Sequence, residues 1–204
     1  MIDDNLTVRF FDEQFQRQVA AAEYALNPFE AAALPFLKGE VLDYGCGLGN
    51  LAVEAARRGC VVTALDASHA GVARIEAVAR EMQLPLTAAE ADLREHRIAG
   101  DYDAIACIGL LMFFDCATAH RKLADILAHV RPGGVVAVNV LVEGTTFLDM
   151  FSPDGHCLFE PDALVRSLAG WEILVHRTET YPAPGRTQKV FATAIARRPR
   201  HEPR

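Results

Sequence analysis

The chain has 204 residues, of which 51% are hydrophobic and 23% charged, and its formal net charge is −7. This length is enough for one α/β domain with its own core. The negative charge opposes binding to nucleic acid, because phosphates repel it. The start of the chain lacks the apolar run of a signal peptide, and no stretch approaches the 18 apolar residues of a membrane span. We therefore expect a single-domain cytoplasmic protein without nucleic-acid or membrane partners.

The five cysteines have no C-x-x-C spacing, and their number is odd. Such usage indicates a reducing compartment with free thiols, and it argues against a disulfide framework or a zinc site. The apolar neighbours of Cys107 and Cys116 favour core thiols over nucleophiles. We expect no metal in this protein. The other three cysteines are Cys46, Cys60 and Cys157.

Apolar runs of strand length alternate with helical segments through the first two thirds of the chain. A Pro-Gly-Gly turn at 132–134 should end the third helix, and Ser68 is placed to cap the second. Five strands that alternate with helices indicate a parallel sheet with right-handed crossovers. The predicted strands are 40–44, 60–65, 84–89, 102–108 and 135–142, and the predicted helices between them are 50–58, 68–82 and 117–130.

The last third of the chain has a different pattern. A long Gly- and Pro-containing insertion, 144–159, precedes a short helix at 161–168. Two extended segments, 171–180 and 187–196, are joined by the short link YPAPGR, which predicts a hairpin and an antiparallel last strand. The predicted fold class is α/β, a doubly wound, Rossmann-like, seven-stranded and mostly parallel sheet. The single domain divides into an N-terminal helical segment (1–35), a core (36–142), and the insertion with the hairpin (143–198).

A glycine-rich loop, DYGCGLG at 43–49, lies between the first strand and the following helix. Glycines there allow a tight turn and a close approach to a ligand. Their spacing is G-x-G-x-G, whereas the dinucleotide fingerprint is G-x-G-x-x-G. Asp43 lies two places before the first glycine, where a carboxylate repels a pyrophosphate and attracts an amino group. S-adenosylmethionine (SAM) has such an amino group and no phosphate, so the loop favours SAM.

Two further acidic residues follow the next two strands. Asp66 ends the second strand, where a carboxylate can accept hydrogen bonds from both ribose hydroxyls. Asp92 follows the third strand and is placed to reach an adenine amino group. Either acid alone is as typical of a helix cap or a solvated loop as it is of a ligand site. Three acids at three successive strand ends, around one glycine loop, predict a nucleoside site.

These motifs, with the Pro-Gly-Gly turn before the fifth strand, resemble the class I SAM-dependent methyltransferases over about residues 36–142. By that resemblance, 43–49 hold the methionine end of SAM, and the product is S-adenosylhomocysteine. The pairs at 66–67 and 92–93 hold the ribose and the adenine. The implied cofactor-binding residues are Asp43, Tyr44, Gly45, Cys46, Gly47, Gly49, Asn50, Asp66, Ala67, Asp92, Leu93 and, on the methyl-donor side, Ile108.

Within that class, LMFF at 111–114, FEPDAL at 159–164, GWEI at 170–173 and the closing FATAIARR resemble the tellurite-resistance methyltransferases. That likeness implies a small acceptor, an oxyanion or soft nucleophile such as tellurite or selenite. We expect cationic side chains near the last hairpin to attract such an anion. The candidate substrate residues are Phe113, His176, Arg177 and Arg186.

Two other functions are compatible with a nucleoside-binding sheet. One is a non-catalytic SAM-binding regulatory module, which stays possible because the sequence identifies no residue as a catalytic acid or base. The other is an NAD-dependent oxidoreductase, which the glycine spacing opposes. The aromatic residues of the N-terminal segment either pack it onto the sheet or form a lid over SAM. They are Phe10, Phe11, Phe15 and Tyr24. The sequence does not determine the oligomeric state.

Overall fold

A seven-stranded sheet in the order β3-β2-β1-β4-β5-β7-β6 organises the protein. The computed structural model describes residues 15, 17, 18, 24–152 and 155–200. Strands β1 to β5 are parallel, and β7 runs antiparallel to both of its neighbours. The predicted fold class is thereby confirmed. The strands are β1 Glu40–Tyr44, β2 Val61–Asp66, β3 Leu86–Glu90, β4 Tyr102–Ile108, β5 Val130–Leu141, β6 Glu172–Ala183 and β7 Thr187–Arg197.

Polar side chains mark where the helices begin. Asn27 and Glu30 form a reciprocal capping box. Ser68 accepts a hydrogen bond from the N–H of Gly71, as predicted for this cap. Asp115 accepts one from the N–H of Thr118. The helices, numbered in chain order, are α1 Pro28–Ala33, α2 Asn50–Arg57, α3 His69–Met82, α4 Cys116–Ala128 and α5 Ala163–Ser167.

The central strands of the sheet are buried on both faces, because parallel strands with crossover helices are covered on both sides, whereas no residue of the edge strand β6 is buried. Alternate residues of each strand enter different cores. In β1, Val41 packs with the core that contains α2 residues, and Leu42 packs with the core that contains α4 residues. We call these sides of the sheet the α2 face and the α4 face. Residues paired side by side on neighbouring strands share a face.

The Pro-Gly-Gly segment at 132–134 lies within β5, so the prediction of a turn there is wrong. Helix α4 ends at Ala128 and β5 begins at Val130. The pairing between β4 and β5 shifts register around these residues, which form an irregular stretch of strand. Gly134 approaches the neighbouring strand so closely that a Cβ would lie 2.7 Å from the carbonyl oxygen of Asp103. The local composition is the same for a turn and a bulge, and strand pairing decides between them.

Cys116 and Cys157 form a disulfide, so the prediction of five free thiols is wrong. Cys116 is the exposed first residue of α4, which also corrects its assignment as a core thiol. Cys157, in the insertion, is buried. The bond ties the insertion to the main domain across 41 residues of sequence. The remaining thiols, Cys46, Cys60 and Cys107, are free and buried.

Candidate cofactor and acceptor site

The glycine loop has a backbone that only glycine adopts readily. Gly45, Gly47 and Gly49 have φ angles of 84°, 54° and 72°. A Cβ on Gly49 would lie 2.3 Å from Cγ1 of Ile75, so the loop also lies close against α3. The N–H groups of residues 45 and 46 both donate to the carbonyl of Leu65, which anchors the loop to β2. The loop is thus held open at the carboxyl edge of the sheet.

Asp43 is buried beneath this loop with an incomplete set of hydrogen bonds. Its side chain accepts from the N–H of Ala52, but Oδ2 has no partner among the described residues. Burial, followed by the nearby Glu30 and Asp66, raises the pKa of Asp43 to about 8. Oδ1 of Asn50 is also buried and without a described partner. Two acceptor oxygens near one loop are suited to a ligand that brings N–H donors.

Asp66 connects the glycine loop to the start of α3. Its Oδ2 accepts from the N–H of Gly47 at 2.8 Å, and its Oδ1 accepts from the N–H of Ser68 at 2.9 Å. Because a carboxylate offers about four lone-pair positions, these two bonds do not by themselves prevent Asp66 from accepting hydrogen bonds from hydroxyl groups. Ala67 lies between the two anchored residues and is half-buried.

Tyr44 acts on the other face of the sheet from Asp43, because neighbouring residues of a strand alternate. Its ring is fully buried, and its hydroxyl donates to the carbonyl of Leu93 at 3.1 Å. That bond supports the loop predicted to hold adenine. In this loop Leu93 is buried and Asp92 is exposed, with Oδ1 of Asp92 accepting from the N–H of Arg94. Sequence reasoning placed Tyr44 with the methionine end and missed its side-chain role.

Four residues form a row across the α2 face, one on each of four neighbouring strands. Ile108 of β4 pairs with Asn139 of β5, Asn139 pairs with Thr193 of β7, and Thr193 pairs with Arg177 of β6. The two central polar residues are buried, whereas Ile108 is half-buried and Arg177 is exposed. Sequence reasoning missed Asn139 and Thr193. The available signal was a single amide inside the otherwise apolar run VVAVNVLV.

An aromatic cluster lies beyond this row, toward the carboxyl edge. Phe113 is buried against Phe151 of the insertion, with ring centroids 5.3 Å apart. The ring of His156 stacks on Phe151 at 4.5 Å. Phe29 of α1 packs on Phe191 of β7 at 4.8 Å. The predicted substrate residue Phe113 therefore belongs to an apolar region built from three parts of the chain.

The three basic residues that are predicted to bind the substrate do not lie together. His176 is adjacent to Arg177 in β6, so their side chains emerge on opposite faces. Arg186 occupies the tip of the hairpin, exposed and with a φ of 61°. Arg177 alone of the three shares a face with Asp43 and Ile108. Their roles in acceptor binding stay predictions.

Part of the N-terminal segment lies on the glycine loop. A Cβ on Gly47 would lie 3.0 Å from Cζ of Phe15, so that ring covers the loop. Arg74 of α3 donates to the carbonyl of Leu48 and lies over the ring of Tyr24, 4.0 Å from its centroid. The contacts show that this segment reaches the loop. Phe10 and Phe11, the other aromatic residues of the predicted lid, lie outside the described residues.

These residues fit SAM. Unsatisfied acceptors on Asp43 and Asn50 suit its amino group, and Asp66 suits its ribose. Across the ranges that the structure covers, no group of three or more His, Cys, Asp or Glu could hold a metal ion. The same part of the chain contains no helix with the length and apolarity to cross a membrane.

A family model described as a methyltransferase domain matches residues 41–134. The fold is similar to that of TehB from Haemophilus influenzae, with a TM-score of 0.73 and 21% identity, over 85% of this chain and 63% of that one. Residues 41–134 of the chain thus match a methyltransferase domain. The predicted family is thereby confirmed, and the methyltransferase core spans β1 to the start of β5.

Curated relatives match this chain over part of their own length. Hemagglutinin 1 of Eikenella corrodens is 32% identical over 174 residues, which are 78% of this chain and 55% of the relative. A ubiquinone biosynthesis O-methyltransferase of Aeromonas salmonicida is 34% identical over 104 residues, 50% of this chain and 42% of the relative. The chain thus spans about half the length of these relatives.

Proposed function

We propose that this protein transfers the methyl group of SAM to a small-molecule acceptor. The observation that carries the proposal is the unsatisfied carboxyl oxygen of Asp43 beside a G-x-G-x-G loop. A buried acceptor without a donor costs about 1–3 kcal/mol, so its retention favours a ligand that supplies the donor. The methyltransferase family match at 41–134 supports the same conclusion.

Each part of the site has a defined task in binding SAM. Asp43 and Asn50 would accept hydrogen bonds from the amino group, and Asp66 would accept them from the ribose hydroxyls. Leu93, held by Tyr44, would contact the adenine. When bound, SAM supplies a methyl group on a positively charged sulfur, and its transfer to a nucleophile leaves S-adenosylhomocysteine.

The chain contributes position and the exclusion of water more than acid–base chemistry. Phe113 and Phe151 pack on the acceptor side of the site, where they keep water from a reacting nucleophile. Holding donor and acceptor in line can supply most of the acceleration. An anionic nucleophile needs no base, because its reacting atom carries no proton that must be removed.

For the acceptor, the resemblance to tellurite-resistance enzymes makes tellurite and selenite the first anions to test. Arg177 is the cation best placed to attract them, because it shares the α2 face with Ile108 and Asp43. His176 emerges on the opposite face, and Arg186 lies at the exposed end of the hairpin. The relation to O-methyltransferases over part of the chain adds hydroxyl acceptors to the panel.

Calorimetry with SAM, S-adenosylhomocysteine and NAD tests the cofactor, and release of S-adenosylhomocysteine from mixtures with tellurite, selenite, thiols, amines, phenols and carboxylates tests the reaction. We expect both adenosyl ligands to bind and NAD not to bind. Comparable affinity for NAD would refute the proposal. SAM binding without turnover of any acceptor would instead indicate the regulatory module.

A further inference from the structure

Asn139 is a completely buried amide with one unused oxygen. Its Nδ2 donates to Oγ1 of Thr193 at 2.9 Å and to the carbonyl of Ala192 at 3.4 Å. These two bonds orient the side chain. Its Oδ1 has no hydrogen-bond partner in the part of the chain that is described. An amide that served only to hold β5 against β7 would gain nothing from an unsatisfied oxygen, and that oxygen costs about as much as a lost hydrogen bond.

The position of Asn139 connects it to the methyl-donor side of the site. It pairs with Ile108, and its backbone carbonyl accepts from the N–H of Gly109. Neighbouring strands lie about 4.8 Å apart, so the amide is one strand away from the residue expected to face the methyl group. It lies on the side toward the hairpin, opposite to Asp43. The part of the site that is expected to hold SAM, at Asp43, and the amide of Asn139 therefore lie on opposite sides of the end of β4.

The surroundings of Asn139 are apolar. The next pair along the same face is Leu141 with Phe191. Leu141 clusters with Phe113 and with Phe151 of the insertion, and Phe29 of α1 packs on Phe191. Binding pockets for small molecules commonly combine apolar walls with one or two fixed polar groups. An apolar region with aromatic rings thus begins one residue pair away from the unpaired acceptor.

We propose that Oδ1 of Asn139 accepts a hydrogen bond from an O–H or N–H group of the methyl acceptor, and that the acceptor has an apolar, ring-sized body. The inference rests on the proposed function and specifies its substrate class. Thr193 is a positioning residue, because it holds Nδ2 and so aims Oδ1. Asn139 is completely buried, so binding of the acceptor requires a local rearrangement of the residues that cover it.

The test uses the full chain loaded with S-adenosylhomocysteine, and catechol and its dimethyl ether as probes. The two compounds share a ring, but only catechol has O–H donors. We expect the unmodified protein to bind catechol at least about tenfold more tightly than the ether. Asn139→Leu keeps the branched shape and removes the acceptor, so it should abolish this preference with no change in the affinity for S-adenosylhomocysteine.

The preference for catechol separates this role from a structural one. Asn139→Leu also removes the two bonds from Nδ2, so a lower unfolding midpoint is expected in either case, whereas a purely structural amide predicts that the folded variant keeps the preference for catechol. Thr63→Val, a polar-to-apolar change in β2, is the control and should alter neither binding nor the preference for catechol. If Asn139→Leu fails to fold, Thr193→Val replaces it. This variant no longer orients the amide of Asn139, so it should lose most of the preference for catechol.

The possible failures are distinguishable. A protein that binds S-adenosylhomocysteine but neither catechol nor its ether overturns the assigned acceptor class. So does equal methylation of tellurite by the unmodified protein and Asn139→Leu, and in that case the proposed function stands. Absence of binding to S-adenosylhomocysteine would refute the proposed function itself.

Discussion

The two halves of the sheet present their functional groups in different ways. In the half formed by β1, β2 and β3, the groups lie at strand ends or directly after them, as Asp66 and Asp92 do. In the half formed by β5, β7 and β6, the polar groups Asn139, Thr193 and Arg177 lie inside strands and meet only through pairing. The groups of the first half can therefore be predicted from their spacing along the chain. The groups of the second half come together only through the register of strand pairing. If the two halves act separately, a change in one half should leave ligand binding by the other half unaltered.

The disulfide should give the largest effect, and only on the acceptor half. Replacing both Cys116 and Cys157 by Ser opens a loop of 41 residues, which should lower the free energy of unfolding by about 4 kcal/mol. Denaturant titration measures this loss. SAM affinity should be unchanged, because the bond lies outside the glycine loop. A reductant should destabilise the unmodified protein and not the variant, and five titratable thiols in the folded, unreduced protein would contradict the bond.

Asp66→Ala should give the next largest effect, and only on the cofactor half. Loss of a charged acceptor for the ribose hydroxyls should weaken SAM binding by about 1–3 kcal/mol, as measured by calorimetry. The exposed Asp162, which makes no capping bond to α5, supplies the control variant Asp162→Ala, whose affinity should be unchanged. An unaltered dissociation constant in folded Asp66→Ala would show that this carboxylate does not bind the ribose.

The buried Asp43 predicts a pH dependence with a defined sign. Its pKa is about 8 in the folded protein and about 4 when unfolded, so the native state holds an extra proton between these values. The stability that comes from this group therefore falls as the pH rises from 4 to 8. A bound amino group favours the carboxylate, so SAM affinity should rise with pH up to about 8 and binding at pH 7 should release about one proton.

Calorimetry in buffers with different ionisation enthalpies measures that proton. S-adenosylhomocysteine has the same amino group and should show the same release. Asn at this position does not titrate, so Asp43→Asn should remove both the proton release and this part of the pH dependence. Equal proton release by Asp43→Asn would assign the effect to another group.

Tyr44→Phe should give the smallest effect. The phenol supports Leu93 within the core of the α4 face, and loss of one such bond costs about 1 kcal/mol. We expect SAM binding to weaken about fivefold, with no change in the binding of an acceptor. A lower unfolding temperature combined with unchanged SAM affinity would show that Tyr44 supports the core alone.

The sequence by itself determined the order of strands and helices, the glycine loop and the acids near it. These features depend on residues close in the chain: hydrophobic period, glycines that permit a positive φ, and side chains at strand ends. Ser68 is an example, because a cap requires only a donor three residues later. The spacing of the glycines likewise favours a SAM loop over a dinucleotide loop without any tertiary information.

Tertiary structure alone decided the features that join distant residues. Cys116 and Cys157 are 41 residues apart, and Asn139 and Thr193 are 54 apart, so no local pattern reports either contact. The bulge in β5 depends on the register of β4, since the same glycines would suit a turn. The raised pKa of Asp43 depends on burial under α2 residues and on the charges of Glu30 and Asp66. Pairing and burial are properties of the assembled sheet, and the chain specifies them only by folding.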